Sequence, residues 1–242
     1  MVREVWKSFG ASVRGPGHVR AAIPNQDAFC IKRYDWGKVA VVSDGVGSCS
    51  TSEYGAKAVC RAVSLVSGRF DFQNGGISSL VEQFHEQWLL SIMPFKPETS
   101  SATCVFSICF NDSSTVLLGM LGDGLAAVLK SDGTYFELTE DKNDGFSNQT
   151  GAFSPWTRPE NWRSASFGAG ECKAVLLCTD GIADDLLPEQ HENFVRHIYE
   201  RGHSCPVETS TRELRKMLEN WPVPKHSDDK TLVCIYQCEE DA

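Results

Sequence analysis

The sequence repeats one short acidic pattern, in which an apolar run ends at an Asp that is followed by Gly. The pattern occurs at Asp44, Asp123 and Asp180. Two further acidic clusters, which contain Asp27 and Asp228, stand directly before apolar runs. The end of a strand holds a side chain in a fixed position, and a following Gly lets the backbone turn sharply and approach a ligand. We therefore expect these carboxylates to share one pocket.

Carboxylates that share a pocket repel each other and raise each other's pKa unless a cation neutralises them. Carboxylate and carbonyl oxygens are the ligands that hard divalent ions such as Mg²⁺ and Mn²⁺ prefer, whereas zinc sites favour His and Cys. The acidic set contains neither His nor Cys. The pattern thus predicts a binuclear site for hard divalent ions.

The alternative interpretation is that Asp-Gly is only a common turn dipeptide. We assign Asp132 and Asp144, which are also followed by Gly, to such turns. Three repeats at the ends of apolar runs, together with the two acidic clusters, favour a shared site over a coincidence of turns.

The elements that must position these residues are mostly strands. Apolar runs predict strands at residues 28–32, 39–43, 102–110, 115–121, 125–130, 134–138, 173–179 and 231–237. Apolar residues three and four apart predict helices after residue 50 and at residues 79–92, 189–201 and 209–220. Ser50 and Glu53 predict a capping box for the first of these helices. This order favours sheets in the core with helices outside.

Composition narrows the classes of function. The 242 residues carry 23 Lys and Arg against 32 Asp and Glu, a formal net charge of −9, which argues against a nucleic-acid partner. We find no signal-peptide pattern and no apolar run long enough for a membrane span. The ten cysteines include no C-x-x-C pair, so we expect reduced thiols and a cytoplasmic protein.

We expect one domain over residues 1–242, with a polar, irregular segment at about residues 140–170.

Five motifs occur in the order and approximate spacing of a known family. They are Asn25-Gln26-Asp27-Ala28, Ser43-Asp44-Gly45-Val46-Gly47, Gly122-Asp123-Gly124, Cys178-Thr179-Asp180-Gly181 and Asp228-Asp229-Lys230-Thr231. In these motifs the chain resembles the type 2C metal-dependent protein phosphatases, the PPM family, and most of all its compact bacterial members. The resemblance extends from about residue 10 to residue 236. It implies an α+β fold, a four-layer αββα sandwich of two antiparallel sheets with two helices on each outer face.

The resemblance also implies roles for the acidic residues. By motif position, Asp44 would bridge two metal ions, and the carbonyl group of Gly45 would bind one of them. Asp180 and Asp228 would complete the ligands of the second ion. Asp229 stands where relatives carry Asn beside the ligand, so we rank it below Asp228.

Two further positions follow from the resemblance. Asp27 would hold a metal-bound water, and Asp123 matches the position that binds a weaker third ion in some relatives. The segment at residues 140–170 would be the family's flap, a variable element beside the substrate.

The function implied is hydrolysis of phosphoserine and phosphothreonine in proteins by a water or hydroxide bridging two Mn²⁺ or Mg²⁺ ions. Such ions make water acidic, offset the phosphate charge and orient in-line attack, so no covalent intermediate is needed. The expected partner is a phosphorylated protein, linked to a serine/threonine kinase or its target. We expect a monomer.

Three positions depart from the family pattern. Gln26, Ala22 and Val46 stand where many relatives have Glu, a phosphate-binding Arg and His, respectively. We expect Arg20, Arg14 or His18 to contact the phosphate instead, and His18 or a metal-bound water to protonate the leaving group. For each of these three side chains, a solvated loop residue is the alternative.

Other phosphatase chemistries fit less well. No cysteine has an Arg six residues later, as a Cys-based phosphatase requires, and Val42 stands where an Asp-nucleophile hydrolase needs its nucleophile. The alternative that stays open is a catalytically weak or silent phosphoprotein-binding domain on the same fold. Mutually repelling carboxylates have no use in a pure binding domain, which favours the enzyme.

Overall fold

The computed structural model describes residues 2–111, 115–139 and 151–241. The strands within these ranges are β1 (Val2–Val13), β2 (Ala28–Tyr34), β3 (Gly37–Ser43), β4 (Cys104–Phe110), β5 (Val116–Leu121), β6 (Leu125–Lys130), β7 (Tyr135–Thr139), β8 (Arg163–Phe167), β9 (Cys172–Cys178) and β10 (Lys230–Asp241). The α-helices are α1 (Pro16–Ala21), α2 (Ser52–Ser67), α3 (Ile77–Ser91), α4 (Asp180–Ala183), α5 (His191–His203) and α6 (Val207–Glu219). Single 3₁₀ turns lie at Pro97–Thr99, Pro159–Asn161, Ala169–Glu171 and Pro188–Gln190.

The described strands form two five-stranded sheets, with the orders β1-β10-β9-β6-β7 and β2-β3-β4-β5-β8. Neighbouring strands are antiparallel in both sheets. One apolar cluster fills the space between the sheets, and one lies under the helices on each outer face. The α2 and α3 helices cover the second sheet, and α5 and α6 cover the first. The predicted αββα sandwich is therefore confirmed.

Helical periodicity explains why α3 packs where it does. Leu80, Phe84 and Trp88, each four residues from the next, are at most 1% exposed and form one buried face. Trp88 also donates a hydrogen bond from Nε1 to the carbonyl oxygen of Gly55 in α2, at 3.3 Å. The two helices therefore pack on the sheet as a pair.

The predicted capping box at the start of α2 is wrong. The N-cap residue is Thr51, and no side-chain cap bond is present there. Thr51 Oγ1 instead donates to the carbonyl oxygen of Thr99, at 2.7 Å. A tertiary contact with the segment before β4 has thus replaced the local cap that Ser50 and Glu53 would have made.

The segment at residues 140–170 is only partly as predicted. Residues 140–150 lie outside the described part of the chain, so the expectation of a flap there is untested. Beyond them the chain is ordered into secondary structure: Phe153 forms a bridge with Ala102, and β8 pairs with β5. The expectation of an irregular segment is therefore wrong where β8 lies. The sequence signal for this strand is weak, because it is a short, half-buried edge strand with few apolar residues.

Two findings concern the helices and the cysteines of the described residues. Among the described residues, no helix is long and apolar enough to cross a membrane. These residues include all ten cysteines, and every one is a free thiol.

Gly55 provides a test of the packing beside the acidic loops. A Cβ atom on Gly55 would lie 1.7 Å from the carbonyl oxygen of Ser100. We therefore expect Gly55→Ala to lower the free energy of unfolding, measured in urea, by about 1–3 kcal/mol or more. The control is Gly170→Ala, where an added Cβ meets nothing within 4 Å. Equal stability of the two variants would contradict this packing.

Candidate metal centre

Strand register places Asp27 and Asp44 at the same end of the second sheet. Ala28, the first residue of β2, lies opposite Ser43, the last residue of β3. Asp27 stands immediately before β2 and Asp44 immediately after β3, so both leave the sheet at one edge. The backbone N–H of Asp44 is held by Thr103 Oγ1, at 2.9 Å.

The first sheet brings its acidic residues to that same end of the sandwich. Leu125 of β6 and Leu232 of β10 both lie opposite Cys178, the last residue of β9. The loops that leave the sheet at this level carry the remaining predicted carboxylates, Asp123 before β6, Asp180 after β9 and Asp228 before β10.

Asp27 lies at the centre of the cluster and is 6% exposed. Burial raises its pKa to about 6, although hydrogen bonds with Asp44, Thr231 and Thr179 act in the opposite direction. Thr179 Oγ1 donates to Asp27 Oδ2, at 2.8 Å. Asp27 Oδ1 is buried and has no hydrogen-bond partner among the described residues. The Asp27 charge also raises the pKa of Asp44, so the two carboxyl groups are neighbours.

Asp44 and Asp180 are also proton-binding carboxyls in the protein without metal. Burial raises the pKa of Asp44 well above its ordinary value, and the charges of Asp27 and Asp180 raise it further. Burial likewise raises the pKa of Asp180 to about 8, with added repulsion from Asp123 and Asp228. These mutual effects show that the five side chains lie close enough to share one electrostatic environment.

The arrangement fits a divalent ion, but it is not closed around a single point. Among the described residues, no three acidic, His or Cys side chains already direct their donor atoms at one common position. The carboxyl groups nevertheless lie near one another, because the charges of Asp27 and Asp180 raise the pKa of Asp44, and those of Asp123 and Asp228 raise the pKa of Asp180. The buried, unpartnered Oδ1 of Asp27 marks an oxygen that a cation or its water would satisfy.

Asp229, which we ranked below its neighbour, organises the backbone beneath the site. It is 1% exposed, and its two carboxylate oxygens accept hydrogen bonds from the N–H groups of Gly15 and Gln26, each at 2.7 Å. His18 Nδ1 lies 2.8 Å from Asp229 Oδ2, an ion-pair distance without hydrogen-bond alignment. The only sequence signal for this role is the polar run at residues 225–229 before a buried strand, and nothing local in that run points to residues 15 or 26.

The structure also locates the residues at which the chain departs from the family pattern. Gln26 Nε2 donates to Ser52 Oγ, at 2.9 Å, and thereby joins the cluster to the start of α2. Ala22 ends α1 in the left-handed conformation, with φ of 57°. Val46 is half-buried, and its N–H donates to the carbonyl oxygen of Ser101. The carbonyl oxygen of Gln26 also accepts a hydrogen bond from the N–H of Gly45, a predicted metal ligand, at 3.1 Å.

Arg20 and Arg14 lie at the outside of the cluster. Both side chains are exposed, and Arg14 Nη1 donates to the carbonyl oxygen of Ile23, at 3.3 Å. The charge of Arg20 contributes to the lowered pKa of His226, after burial and the charge of Lys230. The structure therefore brings Arg20 close to the loop that precedes Asp228, while His18 pairs with Asp229.

A cavity of about 230 Å³ opens beside this loop. Its lining residues are Asp180, Gly181, Asp184, Asp185, Pro224, Lys225, His226, Ser227, Asp228 and Lys230. A smaller cavity of about 130 Å³ lies between α3 and residues 157–162, and its lining contains none of the predicted carboxylates. The larger cavity is therefore the one that joins the acidic cluster.

The raised carboxyl pKa values predict how stability depends on pH after chelator treatment. In the unfolded chain Asp titrates near 3.9, so the folded protein binds these protons more tightly. The stabilisation of the folded state by these bound protons is complete below about pH 3.9, the pKa of Asp in the unfolded chain. It is lost as pH rises through about 6 for Asp27 and about 8 for Asp180. We expect the free energy of unfolding in EDTA to fall between about pH 5 and pH 8.5.

Asp180→Asn should flatten this fall, because the substituted side chain does not titrate. Asp132→Asn is the control, since Asp132 lies in an exposed turn, where it bonds Thr134. Urea titrations at several pH values provide the measurement. A wild-type stability that is constant or rises across this range would show that the carboxyls are not crowded.

Comparison with known proteins identifies the family and the fold. The profile of the Protein phosphatase 2C family matches residues 14–219. The catalytic domain of the serine/threonine phosphatase PstP, solved with 2 manganese ions, superposes with a TM-score of 0.66 and 18% identity over 97% of this chain and 99% of that chain. RsbX, solved with magnesium, gives a TM-score of 0.63 and 14% identity over 98% of this chain and 100% of that chain.

A third structure, the serine/threonine phosphatase Stp1 from Staphylococcus aureus, gives a TM-score of 0.66 and 14% identity over 96% of this chain and 95% of that chain. At these identities the superpositions demonstrate a shared fold. A search of curated protein sequences gives no match. The family match covers most of the chain and includes Asp27, Asp44, Asp123 and Asp180. The chain therefore belongs to the protein phosphatase 2C family.

Proposed function

We propose that this protein hydrolyses phosphoserine and phosphothreonine in proteins with the help of two Mn²⁺ or Mg²⁺ ions. The observation that carries the proposal is the convergence of Asp27, Asp44 and Asp180 in one buried cluster with raised pKa values. A cluster that must bind protons to relieve its own repulsion is suited to bind divalent cations in their place.

In this proposal Asp44 and the Gly45 carbonyl group would hold one ion, and Asp180 and Asp228 would join Asp44 in holding the second. Asp123 would hold a third, weaker ion. When bound, such ions make water acidic enough to attack phosphorus near neutral pH and offset the charge of the phosphoryl group.

The chain's own residues orient the reaction. Thr179 fixes Oδ2 of Asp27, which leaves the buried Oδ1 to accept a hydrogen bond from the attacking water. Arg20, at the edge of the site, would contact the phosphoryl group. His18, whose Nδ1 faces Asp229, would deliver a proton to the leaving oxygen.

The partners in this proposal are a phosphorylated protein and the serine/threonine kinase that acts on it, so the role is in signalling. The ten free thiols support a reducing compartment such as the cytoplasm. We further propose that the chain is a single phosphatase domain, because both sheets share one apolar core. We also propose that it acts as a monomer.

The test compares hydrolysis of para-nitrophenyl phosphate and of a phosphoserine peptide in Mn²⁺ and in EDTA. We expect turnover only with the metal, and we expect Asp44→Asn and Asp180→Asn each to lower it by at least about 100-fold. Both variants should remain folded, with unfolding free energies equal to or above that of the parent, because each removes one repelling charge.

Asp132→Asn, the same substitution at another Asp-Gly pair, should retain the parental rate. Activity within tenfold of the parent for both site variants would contradict the proposed ligands. A wild-type protein that binds the phosphopeptide without metal-dependent turnover would favour the silent binding domain instead.

A further inference from the structure

Lys230, two residues after Asp228, is a buried cation beside the acidic cluster. Its side chain is 1% exposed, and its Nζ lies 3.1 Å from Asp185 Oδ2. The same Nζ donates to the carbonyl oxygen of Asp228, at 3.3 Å, and lies 5.7 Å from the centre of the Trp221 ring. Trp221 Nε1 donates to the same oxygen of Asp185, at 2.8 Å.

Stability alone does not account for this ion pair. Removing a lysine from water is costly, and a well-packed apolar side chain of similar volume is often as stabilising as a buried ion pair. The Lys230–Asp185 pair therefore calls for an explanation in terms of what it holds in place.

The pair joins the two segments that carry predicted metal ligands. Asp185 follows Asp180 by five residues, and Lys230 follows Asp228 by two. The carboxylates of Asp180 and Asp228 repel each other. Attraction between Lys230 and Asp185 opposes that repulsion from just outside the cluster.

Lys230 also acts on one particular peptide group. The carbonyl oxygen of Asp228 accepts the hydrogen bond from Lys230, and the N–H of Asp229 belongs to the same peptide plane. That N–H donates to Asp228 Oδ1, at 2.9 Å. Because the plane is rigid, the contact on its oxygen side fixes the direction of the N–H that orients the Asp228 carboxylate.

We propose that Lys230, held by Asp185, is a positioning residue that orients the Asp228 carboxylate for a divalent ion. The inference rests on the proposed function in one respect, namely that Asp228 binds metal. It goes beyond that function because it assigns a task to a side chain that touches neither the ion nor the substrate.

The experiment measures the Mn²⁺ dissociation constant by calorimetry for the full chain. Lys230→Met removes the charge and keeps the length of the side chain, and it should weaken Mn²⁺ binding by about 10–100-fold, as for other residues that orient metal ligands. Lys230→Met/Asp185→Asn removes both charges. The double variant should be more stable than Lys230→Met, whereas its Mn²⁺ binding should stay weak. If the single variant does not fold, the Mn²⁺ affinity of the double variant is the test.

Val195→Ala is the matched control. Val195 is 1% exposed in the apolar cluster that also contains Trp221, so this variant should lower the unfolding midpoint and leave Mn²⁺ affinity unchanged. Parental Mn²⁺ affinity in Lys230→Met, or its recovery in the double variant, would overturn the inference while leaving the proposed function intact. A wild-type protein that does not bind Mn²⁺ would overturn both.

Discussion

Repulsion among carboxyl groups at one end of the sandwich is the interaction that the rest of the structure must oppose. Burial withdraws Asp27, Asp44 and Asp180 from water, and their proximity then raises the pKa of each. The raised pKa values mean that binding of protons relieves this repulsion. The same crowding that destabilises the fold creates affinity for a cation of higher charge.

Hydrogen bonds and an ion pair beside the predicted metal ligands hold the acidic loops near residues 26, 185 and 228 against this repulsion. Asp229 holds the backbone at Gly15 and Gln26, and Lys230 joins the loop before β10 to Asp185. The approach of these loops is close: a Cβ on Gly181 would lie 1.9 Å from the carbonyl oxygen of Asp229. Gly after Asp is therefore required here for contact between loops, which is a stronger reason than turn formation.

The central strands and the acidic residues could be predicted from the sequence because their signals are local. Strand β6 is predicted with the bounds that the structure has, since five apolar residues and Lys130 lie between two turn signals. Strand β1 was missed, because charged residues interrupt its apolar ones. The orientation of Asp229 toward Gly15 was also beyond prediction, because the two residues are 214 positions apart and only the register of β1 against β10 brings them together.

Proton release on metal binding shows whether a divalent cation replaces protons in the acidic cluster. At pH 7, Asp180, with a pKa of about 8, is largely protonated, and burial together with the charges of Asp27 and Asp180 raises the pKa of Asp44 well above its ordinary value. Titration of Mn²⁺ into the protein, in buffers of different ionisation enthalpy, counts the protons that leave. We expect about one proton to be released per protein molecule at pH 7, chiefly from Asp180. Mn²⁺ binding without proton release would show that the cation does not replace protons in the cluster, and the crowded-carboxylate explanation would then be wrong.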